Sequence, residues 1–135
     1  MYIADSEARV IRKINGGTIT LLAGTGAKGF AGDGASALSA KFNDPNGLAY
    51  HAATNSLYVA DTGNHRIRKI DLVTGNISTI AGTGIAALGG NGPATSAWIN
   101  APTSVAVDAA GNVYFADTGN NRICKISSGN LTTIA

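Results

Sequence analysis

"DTGNHRIRKI", residues 61–70, is nearly restated fifty-six residues later as "DTGNNRICKI", residues 117–126, and fifty-six residues earlier as "DSEARVIRKI", residues 5–14. A catalytic motif has no need to recur in register, whereas a structural unit does, so the repeat is read before anything else. Asp5, Asp61 and Asp117 each close a short apolar run: "MYIAD", "LYVAD" and "VYFAD". Each is followed by a polar turn and a second run, "VIRKI", "RIRKI" or "RICKI". A third run follows in every copy ("TITLLAG", "NISTIAG", "NLTTIA"), and a fourth, "PNGLAY" or "PTSVAVD", precedes only the second and third.

These runs are short, rich in Ile, Val, Tyr, Phe and Thr, and bounded by Gly, Asn, Asp or Pro, which is the signature of strands. In order within a unit, strand A is expected at 47–50 and 104–108, and strand B at 2–5, 57–61 and 113–117. Strand C is expected at 9–14, 65–71 and 121–126, and strand D at 18–23, 76–81 and 130–135. The A–B, B–C and C–D links are short, so neighbours pair antiparallel and each unit is a meander. Several strands are apolar on both faces, which a sheet shows when both sides are covered. Repeated four-stranded meanders covered on both faces are the blades of a β-propeller. A two-sheet sandwich is the runner-up, but it requires no fixed period. The reading is a single all-β propeller segment, residues 1–135, in units of about 1–26, 27–84 and 85–135, giving three blades of which the first lacks its inner strand.

A long D–A link joins successive units, "GTGAKGFAGDGASALSAKFNDP" (24–45) and "GTGIAALGGNGPATSAWINAP" (82–102). Its first half is Gly-rich loop. One or two helical turns are expected in "ASALSAKF" and "PATSAWI", with Pro93 at a first helical position.

Bulk properties fit a turn-rich, packed chain. Gly supplies 18 of 135 residues and charged residues only 13%; a disordered chain would carry more charge and fewer apolar residues. A net charge of +2, with its basic residues spread out, gives no footprint for nucleic acid. No apolar run reaches a membrane span, and Asp5, Glu7, Arg9 and Arg12 interrupt any leader-like apolar core. The one cysteine, Cys124, excludes an intrachain disulfide and leaves the redox compartment open.

"LYVADTGNHRIRKI", "GNVYFADTGNNRICKI" and the recurring "AGTG" resemble the NHL-repeat family, with Asn64-His65 and the following Arg where that family's name-giving tripeptide falls. The "GDG…SA…NDP" link is similar to the extended repeats of bacterial members. The resemblance covers essentially the whole chain. It implies a six-bladed propeller, of which this chain supplies half, and a binding or scaffold role, although a few members are enzymes, including a peptide-amidating lyase with a zinc site on His residues. Glu7 and Ala8 replace Gly63 and Asn64 in the first copy, where a different B–C turn is expected.

Within the decapeptide, Gly63 and Gly119 are expected at positive φ in a three-residue bulged loop. The Asp61 and Asp117 carboxylates are expected to accept from backbone N–H groups of their own turn, with Arg66 and Arg122 as ion-pair partners. Asp33, Asp44, Asp71 and Asp108 are read as turn caps. The basic "RIRK" (66–69) and "VIRK" (10–13) are read as buried stems with heads at the sheet edge. "GTGAKGFAGDG" lacks the Lys-Ser/Thr of a phosphate loop. Phe42 and Ile99 are expected to pack under the links, and Cys124 to be a small buried residue rather than a nucleophile.

In a meander the B–C turns and D–A links share one face, opposite the A–B turns. His51 lies in an A–B turn and His65 in a B–C turn, so the two cannot share a metal. With no third His and no second Cys, no zinc site, no cofactor and no catalytic set are expected. Loops on a rigid frame carry function. The ligand-binding candidates are therefore Asn64, His65, Asn120 and Asn121 in the turns, Trp98 in a link (where the other copy has Lys41), and Asn46 and Thr103 at the A-strand starts round the channel mouth. The expected role is a non-enzymatic module binding a protein or peptide on this face; the alternative is a fragment of a lyase- or lactonase-like enzyme working at the channel mouth. An open three-blade arc exposes sheet faces and edges, so self-association head to tail into a six-bladed homodimer is also expected.

Overall fold

The computed structural model describes all 135 residues, Met1–Ala135. It is all-β, with three antiparallel sheets in succession. The first holds β1 (Tyr2–Asp5), β2 (Val10–Asn15) and β3 (Thr18–Ala23). The second is β4 (Pro45–His51), β5 (Ser56–Asp61), β6 (Arg66–Asp71) and β7 (Ile77–Ala81). The third has β9 (Pro102–Val107), β10 (Val113–Asp117), β11 (Arg122–Ser127) and β12 (Asn130–Thr133), with the two-residue β8 (Gly92–Pro93) on the outer edge of β12. Every meander is in chain order. These are three propeller blades, the first lacking the strand equivalent to β4 and β9.

Strand alternation divides each blade into two faces. In β5, Leu57 and Val59 point one way and, with Ile70 and Ile77, pack on Ile11 and Ala23 of blade 1. Tyr58 and Ala60 point the other way and, with Ile67 and Ala81, pack on Val105, Phe115, Cys124 and Leu131 of blade 3. The middle blade is thus covered on both sides, which is why its strands read as continuous apolar runs. Phe42 and Ile99 are fully buried under the links, as their sequence positions suggested. Gly47 shows how tightly the inner strands converge: a Cβ there would stand 2.8 Å from Ser104 Cα.

The links do more than connect. Ile77 exchanges backbone hydrogen bonds with Gly34 and Ala35 at 2.8 and 3.0 Å, and β8 pairs with β12, so each link closes the outer edge of the blade it enters. A covered edge does not template further strand pairing. The expected helical turns are single 3-10 turns, Ala37–Ser39 and Ala94–Ser96, and Pro93 caps the second rather than occupying its first position. Ala40 and Ala97, the residues that follow, return to extended backbone and end each turn.

Candidate binding face

The B–C turns correct the sequence reading in detail. Each loop is a 3-10 turn, Thr62–Asn64 or Thr118–Asn120, followed by a left-handed residue, His65 (φ 53°) or Asn121 (φ 52°). The loop is therefore four residues long, and the positive φ falls on the residue after Asn64 or Asn120 rather than on Gly63 or Gly119. Those glycines are required for another reason: a Cβ on Gly63 would collide with the Asn43 side chain and stand 2.8 Å from its carbonyl, and Gly119 meets Asn100 likewise. In the first copy no link residue lies there, so Glu7 and Ala8 are accommodated. Arg9 takes the same left-handed conformation (φ 57°), and the turn geometry is kept.

Asp61 and Asp117 face the links, not their own turn backbone. Asp61 Oδ1 accepts from the Asn43 N–H at 2.9 Å, and Asp117 Oδ1 from the Asn100 N–H at 2.6 Å. Their second oxygens accept from Asn64 Nδ2 and Asn120 Nδ2, each at 2.8 Å. The same two amides reach the links, donating to the Gly29 and Ala87 carbonyls at 2.7 and 3.0 Å. Asn64 and Asn120 are thus consumed as staples. Asp5, with no link over it, accepts from Ala8 N–H of its own turn.

The ion pairs differ from copy to copy. Arg122 pairs with Asp117 at 2.7 Å, as expected, but Asp61 takes Arg68 at 3.5 Å instead of Arg66. Arg66 stacks on Phe30, its guanidinium carbon 3.6 Å from the ring centroid, and donates to the Thr83 carbonyl. Arg68 is fully buried, head included, against the expectation of heads at the edge. It donates to the Lys41 and Ala31 carbonyls and to Asp33, while its Nε has no partner. Asp33 is accordingly a link anchor, bonded also by Thr79, rather than a turn cap. Asp71 and Asp108 do cap their turns. Asp44 is itself a left-handed residue, with φ 56°. Burial pushes the Asp61 carboxyl up, against the downward pull of Asn64, the Asn43 N–H and Arg68; the Arg12 guanidinium holds half-buried Asp5 low.

Around the inner mouth lie amides and hydroxyls. Asn46 Nδ2 donates to Thr62 Oγ1 at 2.9 Å, and Thr103 Oγ1 is 2.6 Å from Thr118 Oγ1. Ser6 donates to the Pro45 carbonyl, and Thr62 to the Pro102 carbonyl at 2.6 Å, so these hydroxyls join one blade to the next. His65 Nδ1 accepts the Ala101 N–H at 3.0 Å and is likewise part of a joint. His51 is buried at the end of β4 between Thr54 Oγ1 and the Ala109 carbonyl. No three His, Cys, Asp or Glu side chains are grouped so as to hold a metal ion. Cys124 is buried, and burial raises its thiol, the opposite of what a nucleophile needs.

Trp98 is different from all of these. It is 47% exposed and lines a cleft of about 290 Å³ with Leu88, Asn91, Pro93 and Ser96. Asn121 lies at the far side of blade 3, in a groove with Thr118, Ile123 and Ala135. Of the seven candidates, Asn46, Thr103, Asn64, Asn120 and His65 are tied into the frame, while Trp98 and Asn121 present surface. The roles of Arg68, Asn43 and Asn100 escaped the sequence reading. The signal available was a basic residue on strand C and an Asn before each A-strand in the two copies that carry a link.

Comparison with known proteins agrees with this architecture. The NHL repeat model matches residues 42–70 and 100–126. The chain is 39% identical over 112 residues to Protein SUPPRESSOR OF QUENCHING 1, chloroplastic, of Arabidopsis thaliana, covering 81% of this chain and 10% of that protein. It is 31% identical over 131 residues to NHL repeat-containing protein 2 of Gallus gallus, covering 91% and 18%. Among solved structures, a Bacteroides thetaiotaomicron protein of unknown function superposes with TM-score 0.82 at 22% identity, over 98% of this chain and 32% of that one. An auxiliary nutrient binding protein of the same organism gives 0.76 at 20% identity, covering 98% and 34%. Virginiamycin B lyase of Staphylococcus aureus gives 0.62 at 15%, covering 98% and 36%. The chain therefore spans under a fifth of these sequence relatives and about a third of these structures.

Proposed function

The chain belongs to the NHL-repeat family, and from that premise we propose that it is a non-enzymatic binding module whose ligand, a protein or peptide, docks on the face made by the B–C turns and long links. The observation that carries this reading is Trp98. The frame around it is rigidly stapled, yet this side chain stands half-exposed beside a cleft, and a rigid aromatic next to a pocket is a common binding anchor. The bonded groups at the channel mouth are amides and hydroxyls, which suit recognition better than proton transfer. One neighbouring fold belongs to an auxiliary nutrient binding protein and another to a lyase, but at this identity they speak to fold alone.

The test uses the single tryptophan of the chain. Titration with a library of short peptides, followed by Trp98 emission, is expected to yield saturable shifts for a subset. Trp98→Ala is expected to weaken those peptides by about 2 kcal/mol as read by calorimetry. Peptides that bind without moving the emission, and bind Trp98→Ala equally well, would place the ligand elsewhere. Turnover at the channel mouth that is lost in an Asn46→Ala variant would instead favour the enzyme-fragment reading.

A further inference from the structure

Blades 2 and 3 meet along a joint whose two walls both belong to this chain, and the joint is open at the end that carries the A–B and C–D turns. The opening is a cleft of about 350 Å³, lined by Tyr58, Lys69 and Ile80 of blade 2, Val113 and Ser128 of blade 3, and Thr95 of the link between them. It shares no lining residue with the Trp98 cleft.

The repeat shows why this space exists. In the joint between blades 1 and 2, larger side chains stand at the equivalent places. Leu38 is the middle residue of the first link's 3-10 turn, where the second link has Thr95. Leu57 pairs with Ile70 as Val113 pairs with Ile126. Leu72 follows β6 as Ser128 follows β11. Tyr50, whose ring lies 5.7 Å from that of Tyr2, is replaced by Val107, the residue after Ala106 as Tyr50 is the residue after Ala49. Four large side chains have thus given way to smaller ones, and two of the replacements are hydroxyls.

Two polar groups stand in the cleft without partners. Tyr58 is only 6% exposed, yet its hydroxyl makes no hydrogen bond within the chain. The equivalent Tyr114 hydroxyl donates to Asp108, whereas His51, at that place in blade 2, bonds Thr54 and the Ala109 carbonyl instead. Burial raises the Tyr58 hydroxyl, so it stays protonated and able to donate. Lys69 is the cross-strand partner of Tyr58 and has neither an ion pair nor a hydrogen bond. Asp71 feels its charge but spends its carboxylate on the Val73 and Thr74 N–H groups. No carboxylate lines the cleft. Buried polar groups ordinarily have partners, and a phenol beside an ammonium with no acid near them is satisfied by an anion that accepts from both.

We propose that this cleft binds a small carboxylate with a short apolar tail, the carboxylate held by Lys69 and Tyr58 and the tail covered by Ile80 and Val113. A single cation suits a monoanion better than a phosphate dianion, and the volume lies at the small end of ligand pockets. The inference is independent of the peptide reading, because it uses a different cleft and none of the residues invoked there.

The test is a titration of the isotope-labelled full chain with butyrate and with benzoate, followed by the amide resonances, with inorganic phosphate as the charge-only control. Saturable shifts centred on Gly111, Ser128 and Gly129 at the cleft rim are expected with one or both carboxylates. Lys69→Met is expected to weaken binding more than about tenfold, the worth of one hydrogen bond to a charged group. Tyr58→Phe is expected to weaken it severalfold. Thr95→Leu combined with Ser128→Leu, which copies the filled joint of blades 1 and 2, is expected to abolish binding while the other resonances and the circular dichroism stay as they were. Should the double variant unfold, Thr95→Leu alone takes its place. Shifts that never saturate, binding that survives Lys69→Met or the leucine variant, or phosphate binding as tightly as the carboxylates would each overturn the proposal.

Discussion

Arg68 and Cys124 occupy equivalent positions on β6 and β11, and the exchange between them shows how one repeat solves one problem twice. The buried carboxylate at the end of strand B needs a cation. In blade 2 that cation is Arg68, which also ties down the first link; in blade 3, Arg122 moves in and reaches the Gly89 and Trp98 carbonyls, which frees the other position for a small core residue. Removing one member of a buried pair strands the other. Arg68→Ala is therefore expected to destabilise by about 3–5 kcal/mol in urea unfolding. The double variant Arg68→Met with Asp61→Asn should recover part of that loss. If Arg68→Ala costs no more than a surface change, the buried pair is not what holds the link. Gly63 offers a second residue-scale test. Its φ is ordinary, so an alanine there suffers only from Asn43, and Gly63→Ala is expected to cost about 1–3 kcal/mol by overpacking. Glu7→Ala, at the same position of blade 1 with no link against it, should stay within about 0.5 kcal/mol.

At the level of elements, strand order and blade pairing were legible because they rest on period. Apolar runs that recur every fifty-six residues with turn residues between them leave little choice of fold, and strand limits differ from expectation by only a residue or two. What the sequence did not yield was the partnership between turn and link. Asp61 looked like a cap for its own turn because local bonding is the default for an aspartate beside a glycine; its actual partner, Asn43, is eighteen residues away and reached only through the tertiary fold. The glycines misled for a similar reason. Positive φ is the local explanation of a turn glycine, whereas here a neighbouring side chain forbids a Cβ. The candidate face was legible only as a face, and most of its polar residues proved to be bonded into it. The A–B turn of blade 3 behaves as a local element and gives a local prediction. Asp108 accepts from the Asn112 side chain and backbone N–H, each at 2.8 Å, and from the Tyr114 hydroxyl, and these bonds hold its carboxyl below its ordinary value. A depressed native value means that this stabilisation is complete above the unfolded value, about 3.9, and is lost as pH falls through the native one. Thermal melts of wild type and Asp108→Asn should differ at neutral pH and converge as pH falls below about 4. A gap that persists unchanged to low pH would show that the carboxylate's charge is not the source of the difference.

For the whole molecule, stability is distributed by neighbours, since each blade packs only on the next. Blade 2 is covered on both faces and has a link along its outer edge, and every residue of β5 is buried. Blade 3 has one covered face, but its outer strand is closed by β8 and its link is pinned by Arg122. Blade 1 has one covered face and nothing along β3, whose residues Thr18–Leu21 are all exposed. Regions with few buried contacts and exposed backbone bonds open at lower free energy than the core. Hydrogen exchange is thus expected to rank β1–β3 as the fastest to exchange, β9–β12 as intermediate and β4–β7 as the slowest. Uniform exchange across all three sheets would mean that the arc opens as one cooperative unit, with the two internal interfaces too strong for the blades to act separately.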